Sequence, residues 1–202
     1  NFFKSLRFRI MIILVILGIL PGVIITQLMV RNYEKEALEV RAGSVRTQCV
    51  ILCNQLIKEN YLNDPSSENI DSKLEILSNM YGGRILLVDR DFRIVKDTYH
   101  VDEEKTLVSP RVIKCFKSGE STEYYKDGQT FQIAVPIKSA DVPQIQGAML
   151  VTVSCSEIRA TIIELEQQGM LIMAIIVVLS IILAYILSTI LVKPLARVTK
   201  SI

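Results

Sequence analysis

The 202-residue chain has one histidine and four cysteines, and these are the natural starting points for any chemistry. His100 follows Tyr99 and precedes Asp102, Glu103 and Glu104, so an imidazole and three carboxylates share one short segment. An imidazole titrates near pH 6.5 and could sense pH, while carboxylate oxygens could take a divalent cation or a cationic peptide. Three acids in a row seldom converge on one ion, however, and Lys105 adjoins them. The expectation is a solvated loop carrying an exposed histidine. Cys49, Cys53, Cys115 and Cys155 include no CxxC, and one histidine is too few for an ordinary zinc site. Cys49 and Cys53 stand one helical turn apart, a poor geometry for a bridge within one helix. Reduced, packed thiols are therefore expected, with a Cys49–Cys49 bond between two copies as the sharper alternative. There is no GxxxxGK phosphate loop, no Gly-rich nucleotide lid and no nucleophile–base pair, so neither catalysis nor a bound metal or cofactor is expected within these residues.

Half of the chain is hydrophobic, too much for an ordinary soluble domain of this length. The excess is local. Residues 169–192 form an uncharged run of 24, and residues 10–30 another of 21. As helices, at about 1.5 Å per residue, both reach about 30 Å or more, the thickness of bilayer hydrocarbon. The first run is longer than a signal-peptide core and lacks a small-x-small cleavage site, so an uncleaved anchor is expected. Pro21 falls inside it, where it removes one helical hydrogen bond. Lys4, Arg7 and Arg9 precede the first run, and Lys193, Arg197 and Lys200 follow the second. The segment 31–168 keeps 17 basic and 21 acidic residues, a net charge of −4. Basic outer flanks place both termini in the cytoplasm of a plasma membrane and the middle outside it. The near-neutral total gives no reason to expect a nucleic-acid partner.

The middle supplies the elements that would position any site. Leu38, Ala42, Val45, Cys49, Leu52 and Leu56 step by four and three, a heptad stripe that would let two parallel helices interlock in a homodimer. Val50, Cys53 and Ile57 form a second stripe beside it, and a single apolar face buried within one chain is the competing reading. The segment 63–67 is a loop by composition, and 70–81 a short helix ended by Gly82-Gly83. Residues 85–89 and 93–97 flank Arg90-Asp91-Phe92 as a hairpin, 108–118 is a helix, and STEYYKD pairs with TFQIAVPIK across Asp127-Gly128. Pro136 puts its part of that strand at an edge or bulge. A fifth strand, 145–154, is apolar enough for the centre of the sheet. Ser154-x-x-Glu157 has the capping-box pattern and opens a helix that meets no breaker before the second apolar run. The fold class is therefore α+β, a five-stranded antiparallel sheet with a long N-terminal helix between two membrane helices.

The order of these elements, with RILLVDRDFRIVKDT, IAVPIK and QGAMLVTVS, resembles the single Cache or PAS-like extracytoplasmic domain of bacterial transmembrane sensor histidine kinases. KPLARVT resembles the first helix of a HAMP linker, with Pro194 at its hallmark proline. The chain departs from the family's hairpin pattern in having Phe92 where glycine is common. The resemblance implies a cytoplasmic N-terminus at 1–9, a first span at 10–30, a sensor domain at 31–168, a second span at 169–192 and the start of a HAMP linker at 193–202. It also implies a kinase core after Ile202, with its own acceptor histidine, ATP, Mg and a cognate response regulator as partner. HAMP linkers occur in chemoreceptors and membrane cyclic-dinucleotide synthases too, so these outputs stay open. An extracellular small molecule would sit between sheet and covering helices, near Tyr99, His100, Arg111, Tyr124 and Gln132, with Arg111 able to clamp a carboxylate. A protein partner or the bilayer itself is the other source of signal. Ser154, Glu157 and Pro194 would then lie on the path of the relay.

Overall fold

The computed structural model describes residues 6–126, 129–138 and 144–198. Helix α1, Leu6–Lys58, runs through Pro21 without a break. After the loop, Ser67 caps α2, Glu68–Tyr81, by accepting the Ile70 amide on its hydroxyl. Gly82 ends that helix in the left-handed conformation. Strands β1, Arg84–Asp89, and β2, Ile94–Asp97, form the first hairpin. Helix α3, Pro110–Ser118, has Pro at its first position, where no amide is needed, and Gly119 after its end. Strands β3, Thr122–Lys126, β4, Thr130–Lys138, and β5, Ile145–Ser154, follow, and then α4, Ser156–Val198. The expected turn at Asp127-Gly128 lies outside the described residues, although β3 and β4 pair antiparallel on either side of it.

The strand order is β2-β1-β5-β4-β3, so β5 is central, as its apolar sequence requires. Pro136 pairs with Ala148 of β5 but lies beyond the last residue of β4 that β3 reaches, Ala134. Its missing N–H thus costs no ladder bond. Antiparallel partners share a face of the sheet, which makes the two faces readable from register alone. Ile85, Val151 and Ile133 stand in one row, with Leu87, Met149 and Val135 in the next but one, all on one face. Leu86, Leu150 and Ala134 occupy the intervening row on the other.

The first face packs on α1 and α2. Ala42, Val45, Cys49, Leu52, Cys53 and Leu56 of α1 share its buried cluster with Ile70 and Leu74 of α2 and with Phe131, Ile133 and Met149 of the sheet. This corrects the expected dimer seam. Of its six residues five are buried within a single chain, and Leu38 packs partly buried on the same cluster. A stripe at heptad spacing fits a sheet as well as a partner helix, since both need only one continuous apolar strip. Cys49 is 0% exposed, and burial pushes its thiol up to about 12, so it is placed to pack and not to bridge two copies. All four cysteines are free and buried. The opposite face carries a smaller cluster, Leu86, Val88, Ala134, Ala148 and Leu150 against Val112 and Cys115 of α3.

The chain divides into two compact units, the sheet domain Glu36–Arg159 and a helical pair made of the stretches up to Lys35 and from Ala160. Within the helical pair, α1 and α4 each contain a stretch long and apolar enough to cross a membrane. They lie close enough that a Cβ on Gly18 would fall 2.7 Å from Ser180 Oγ, and one on Gly169 2.6 Å from Thr26 Cγ2. Small residues at such contacts let membrane helices approach closely.

Candidate functional site

On the α3 side of the sheet, one cross-strand row is polar. Arg84 of β1 pairs with Thr152 of β5, Thr152 with Gln132 of β4, and Gln132 with Tyr124 of β3. Gly83 makes the first of these possible, because a Cβ there would lie 1.7 Å from the Thr152 carbonyl oxygen. Only glycine lets β1 start so close to β5. Arg111, in the first turn of α3, donates to Gln132 Oε1, and Gln132 Nε2 donates to Thr152 Oγ1 at 3.1 Å. Two of the expected ligand residues, Arg111 and Gln132, are thus joined directly. Tyr124 falls in register beside them, its side chain outside the described residues.

At the other end of the row, Arg84 is held by a carboxylate that neither spacing nor periodicity marks. Asp97, the last residue of β2, is 0% exposed. It accepts Arg84 Nε at 2.8 Å and Nη2 at 2.5 Å, together with the amides of Tyr99, Val101 and Asp102 at 2.9, 2.9 and 3.0 Å. Burial alone would raise its pKa; the Arg84 bonds and the three amides outweigh it and hold the carboxyl well below the usual range. Arg84 Nη2 also reaches Asp102 Oδ2 at 2.6 Å, whose other oxygen takes Lys105 Nζ at 2.8 Å. Lys105 first and Arg84 second keep Asp102 below its ordinary value. Tyr99 is exposed and covered on one ring face by the Arg84 guanidinium, 5.8 Å from the centroid.

His100 is not part of the row. It is exposed, sits at φ 54°, and places Nδ1 3.0 Å from Glu103 Oε1 in the loop after β2. The acidic segment is thereby divided between two tasks, Asp102 toward Arg84 and Glu103 toward His100. Among the described residues no group of three His, Cys, Asp or Glu is placed to hold a metal. Tyr99, Arg111, Gln132 and the backbone of Tyr124 therefore share a sheet face with Arg84 and Thr152, which spacing did not reveal. The available signal was Arg84 itself, a charge directly after Gly82-Gly83 at the head of the apolar run ILLV.

The residues expected to relay a signal behave differently from the capping-box pattern. Ser154 Oγ accepts the Ser156 amide at 3.3 Å, two residues on, and Glu157 Oε2 lies 3.3 Å from Arg41 Nη1 of α1. Glu157 thus ties the first turn of α4 to α1. Helix α4 continues through Pro194 to Val198.

Clefts among the described residues lie elsewhere in the sheet domain. One of about 440 Å³ is lined by Asn60, Asn63, Asp89, Arg90 and Gln146, and one of about 640 Å³ by Arg46, Val50, Asn54, Glu120 and Lys138. The third, about 220 Å³, runs between α1 and α2. None of the three is lined by the polar row.

No protein-family profile matches the chain, and no curated protein sequence does. Solved structures share its fold. An extracellular ligand binding receptor from Desulfohalobium retbaense superposes with a TM-score of 0.52 at 14% identity, over 67% of this chain and 26% of that one. The sensor domain of the histidine kinase DctB from V. cholerae gives 0.50 at 14% identity, over 65% of this chain and 55% of that one. The chain thus spans about a quarter of the first structure and about half of the second. At this identity the likeness is one of fold.

Proposed function

We propose that this chain is the input part of a transmembrane sensor histidine kinase, a Cache or PAS-like domain outside the plasma membrane that signals through its second membrane helix to a HAMP linker. The observation that carries the reading is continuity: the central strand β5 ends at Ser154, and α4 begins at Ser156 and runs unbroken through the apolar stretch to Val198. A sheet whose middle strand leads within two residues into the helix that carries a candidate span has a continuous helical route by which a strand displacement can reach the membrane. The structures that share the fold are themselves a ligand binding receptor and a kinase sensor domain. Both termini are cytoplasmic in this reading, the bilayer surrounds 10–30 and 169–192, and the parent works as a homodimer. ATP, Mg and the response regulator belong to the kinase core.

The input is a small extracellular molecule on the α3 side of the sheet, beside Arg111 and Gln132, which are hydrogen-bonded to each other and on to Thr152. A ligand there would bias the chain between two packings, by no more than its difference in affinity for them. The test is a chimera that continues the chain after Ile202 with the linker and kinase core of a characterised sensor kinase. Kinase output should respond to a panel of amino acids and carboxylates, and Arg111→Ala with Gln132→Ala should abolish the response. A response that survives both substitutions removes the ligand site, and an output unaffected by any change in 31–168 removes the sensor reading.

A further inference from the structure

The cleft of about 440 Å³ draws its walls from three separate segments: Asn60 and Asn63 after α1, Asp89, Arg90 and Asp91 at the β1–β2 turn, and Gln146 at the start of β5. Leu56, Ile57 and Leu62 add apolar surface. Gly147 lets these segments meet, because a Cβ there would lie 3.0 Å from Leu62 Cδ1 and 2.5 Å from the Val88 carbonyl oxygen. Several of the polar side chains are already held in place. Asn63 Nδ2 donates to Asn60 Oδ1 at 2.6 Å. Asp89 Oδ1 accepts the amides of Asp91 and Arg93 at 2.9 and 2.8 Å. Arg90 donates Nε to the Ile145 carbonyl at 2.8 Å and Nη2 to Gln144 Oε1 at 2.7 Å. Among the described residues, these bonds leave Asn60 Nδ2 and Arg90 Nη1 as donors without a partner, and Asn63 Oδ1 and Asp89 Oδ2 as acceptors without one. The Asp91 carboxylate and the Gln146 amide make no bond with other described side chains or backbone.

We propose that this cleft binds a neutral saccharide, either free or as part of a larger glycan. The chemistry of the unpartnered atoms selects that class. They mix donors with acceptors, whereas an organic anion calls for donors alone and a cation for acceptors alone. Asp89 and Asp91 would repel an anion, and Arg90 stands against a cation. A sugar hydroxyl donates one bond and accepts others, so a ring of hydroxyls can use both kinds of atom at once. The leucine and isoleucine surface takes the C–H face of the ring out of water. A cleft of about 440 Å³ lies within the usual range for small-molecule sites, roughly 300–1,000 Å³. Side chains fixed by their own hydrogen bonds lower the ordering cost of binding. Leu56, Ile57 and Leu62 belong to the cluster on the α1 side of the sheet, so the cleft is separate from the Arg111–Gln132 site. The inference therefore adds a second binding site and does not rest on the kinase reading.

The experiment uses the full chain in lipid nanodiscs prepared without glycoside detergents. Glucose, galactose, N-acetylglucosamine and chitotriose are titrated by calorimetry, with gluconate and glucosamine as charged counterparts. At least one neutral sugar should bind saturably in the millimolar range or below, and more tightly than either charged compound. Asp91→Ala with Gln146→Ala should weaken that binding by about ten-fold or more, the effect of losing a net hydrogen bond or two. Neither side chain has a partner to lose in the fold, so the thermal midpoint should stay with the parent. Arg111→Ala with Gln132→Ala should leave sugar binding unchanged. Chitotriose binding more tightly than N-acetylglucosamine supports a glycan as the source, and equal affinities support a free sugar. Gluconate or glucosamine binding as well as the neutral sugars overturns the ligand class. Binding that survives Asp91→Ala with Gln146→Ala, or that falls with the Arg111 and Gln132 substitutions, overturns the site. Failure of all four neutral sugars to saturate overturns the proposal, and leaves the α3-side ligand site untouched.

Discussion

The two faces of the sheet are built from different materials although they share every strand. Toward α1 and α2 the sheet presents Ile85, Leu87, Phe131, Ile133, Val135, Met149 and Val151, all buried, in one apolar cluster. Toward α3 it presents smaller residues, Ala134 and Ala148 among them, and then the row Arg84–Thr152–Gln132. Dispersion and hydrophobic burial hold the first face, and they act without regard to direction. The second face depends on hydrogen bonds whose partners must be oriented, and each is worth little net unless one partner is lost. A face of the first kind stabilises. One of the second kind can exchange an internal partner for an external one at small cost, as the proposed sensing role would require.

Residues 131 and 132 bring the comparison down to one peptide unit, since Phe131 is buried on the first face and Gln132 half-buried on the second. Phe131→Ala should destabilise by about 4 kcal/mol, the middle of the range for emptying a packed aromatic site. Gln132→Ala should cost about 1 kcal/mol, the net value of a typical hydrogen bond. Denaturant midpoints of the purified chain measure both. Equal losses would show that the second face is as rigidly packed as the first, and the proposed exchange would fail.

Between these limits lies the Arg84–Asp97 pair. Asp97→Ala leaves Arg84 without its bidentate partner and three amides without an acceptor, and should cost about 3 kcal/mol, the lower end for breaking a buried pair because Arg84 is partly exposed. The pair also makes stability depend on pH. Asp97 has a lower pKa folded than unfolded, so its contribution is fully present above the unfolded value of about 3.9 and is lost as pH falls below it. Asp97→Asn should flatten the loss of stability below about pH 4. An unchanged acid slope would place the acid sensitivity in other carboxylates.

The difference between the faces also explains what was legible in the sequence. Periodicity reports burial, so the strands, α2, α3 and the central place of β5 could be read from it. The stripe Leu38 to Leu56 was legible as a buried strip, but periodicity does not name what buries it, and a sheet took the place assigned to a second helix. Arg111 and Gln132 were found because polar residues stand out on elements already placed. Arg84 and Asp97 were not, because their pairing depends on the β1–β2 register shift between Leu87 and Val88 and on the loop after β2, and neither has a period. The expected capping box fell to the same cause: Ser154 and Glu157 have the right types, but tertiary contacts give Glu157 to Arg41.

The smallest effect probes the edge of the second face, at the turn where glycine is common in the resembling family. Phe92 sits at φ 60°, a conformation that costs a residue with a Cβ about 1 kcal/mol. Its ring meets Phe116 of α3 edge to face, with centroids 5.3 Å apart, a contact worth about 1 kcal/mol beyond the area it buries. Phe92→Gly relieves the first term and loses the second, so stability should move by less than about 1 kcal/mol. Phe92→Ala keeps the strain and loses the ring, and should cost about 2 kcal/mol. A glycine variant clearly more stable than the parent would mean that the aromatic contact contributes nothing. If glycine and alanine prove equally destabilising, backbone strain is not what the ring offsets, and Phe92 holds α3 to the sheet for packing alone.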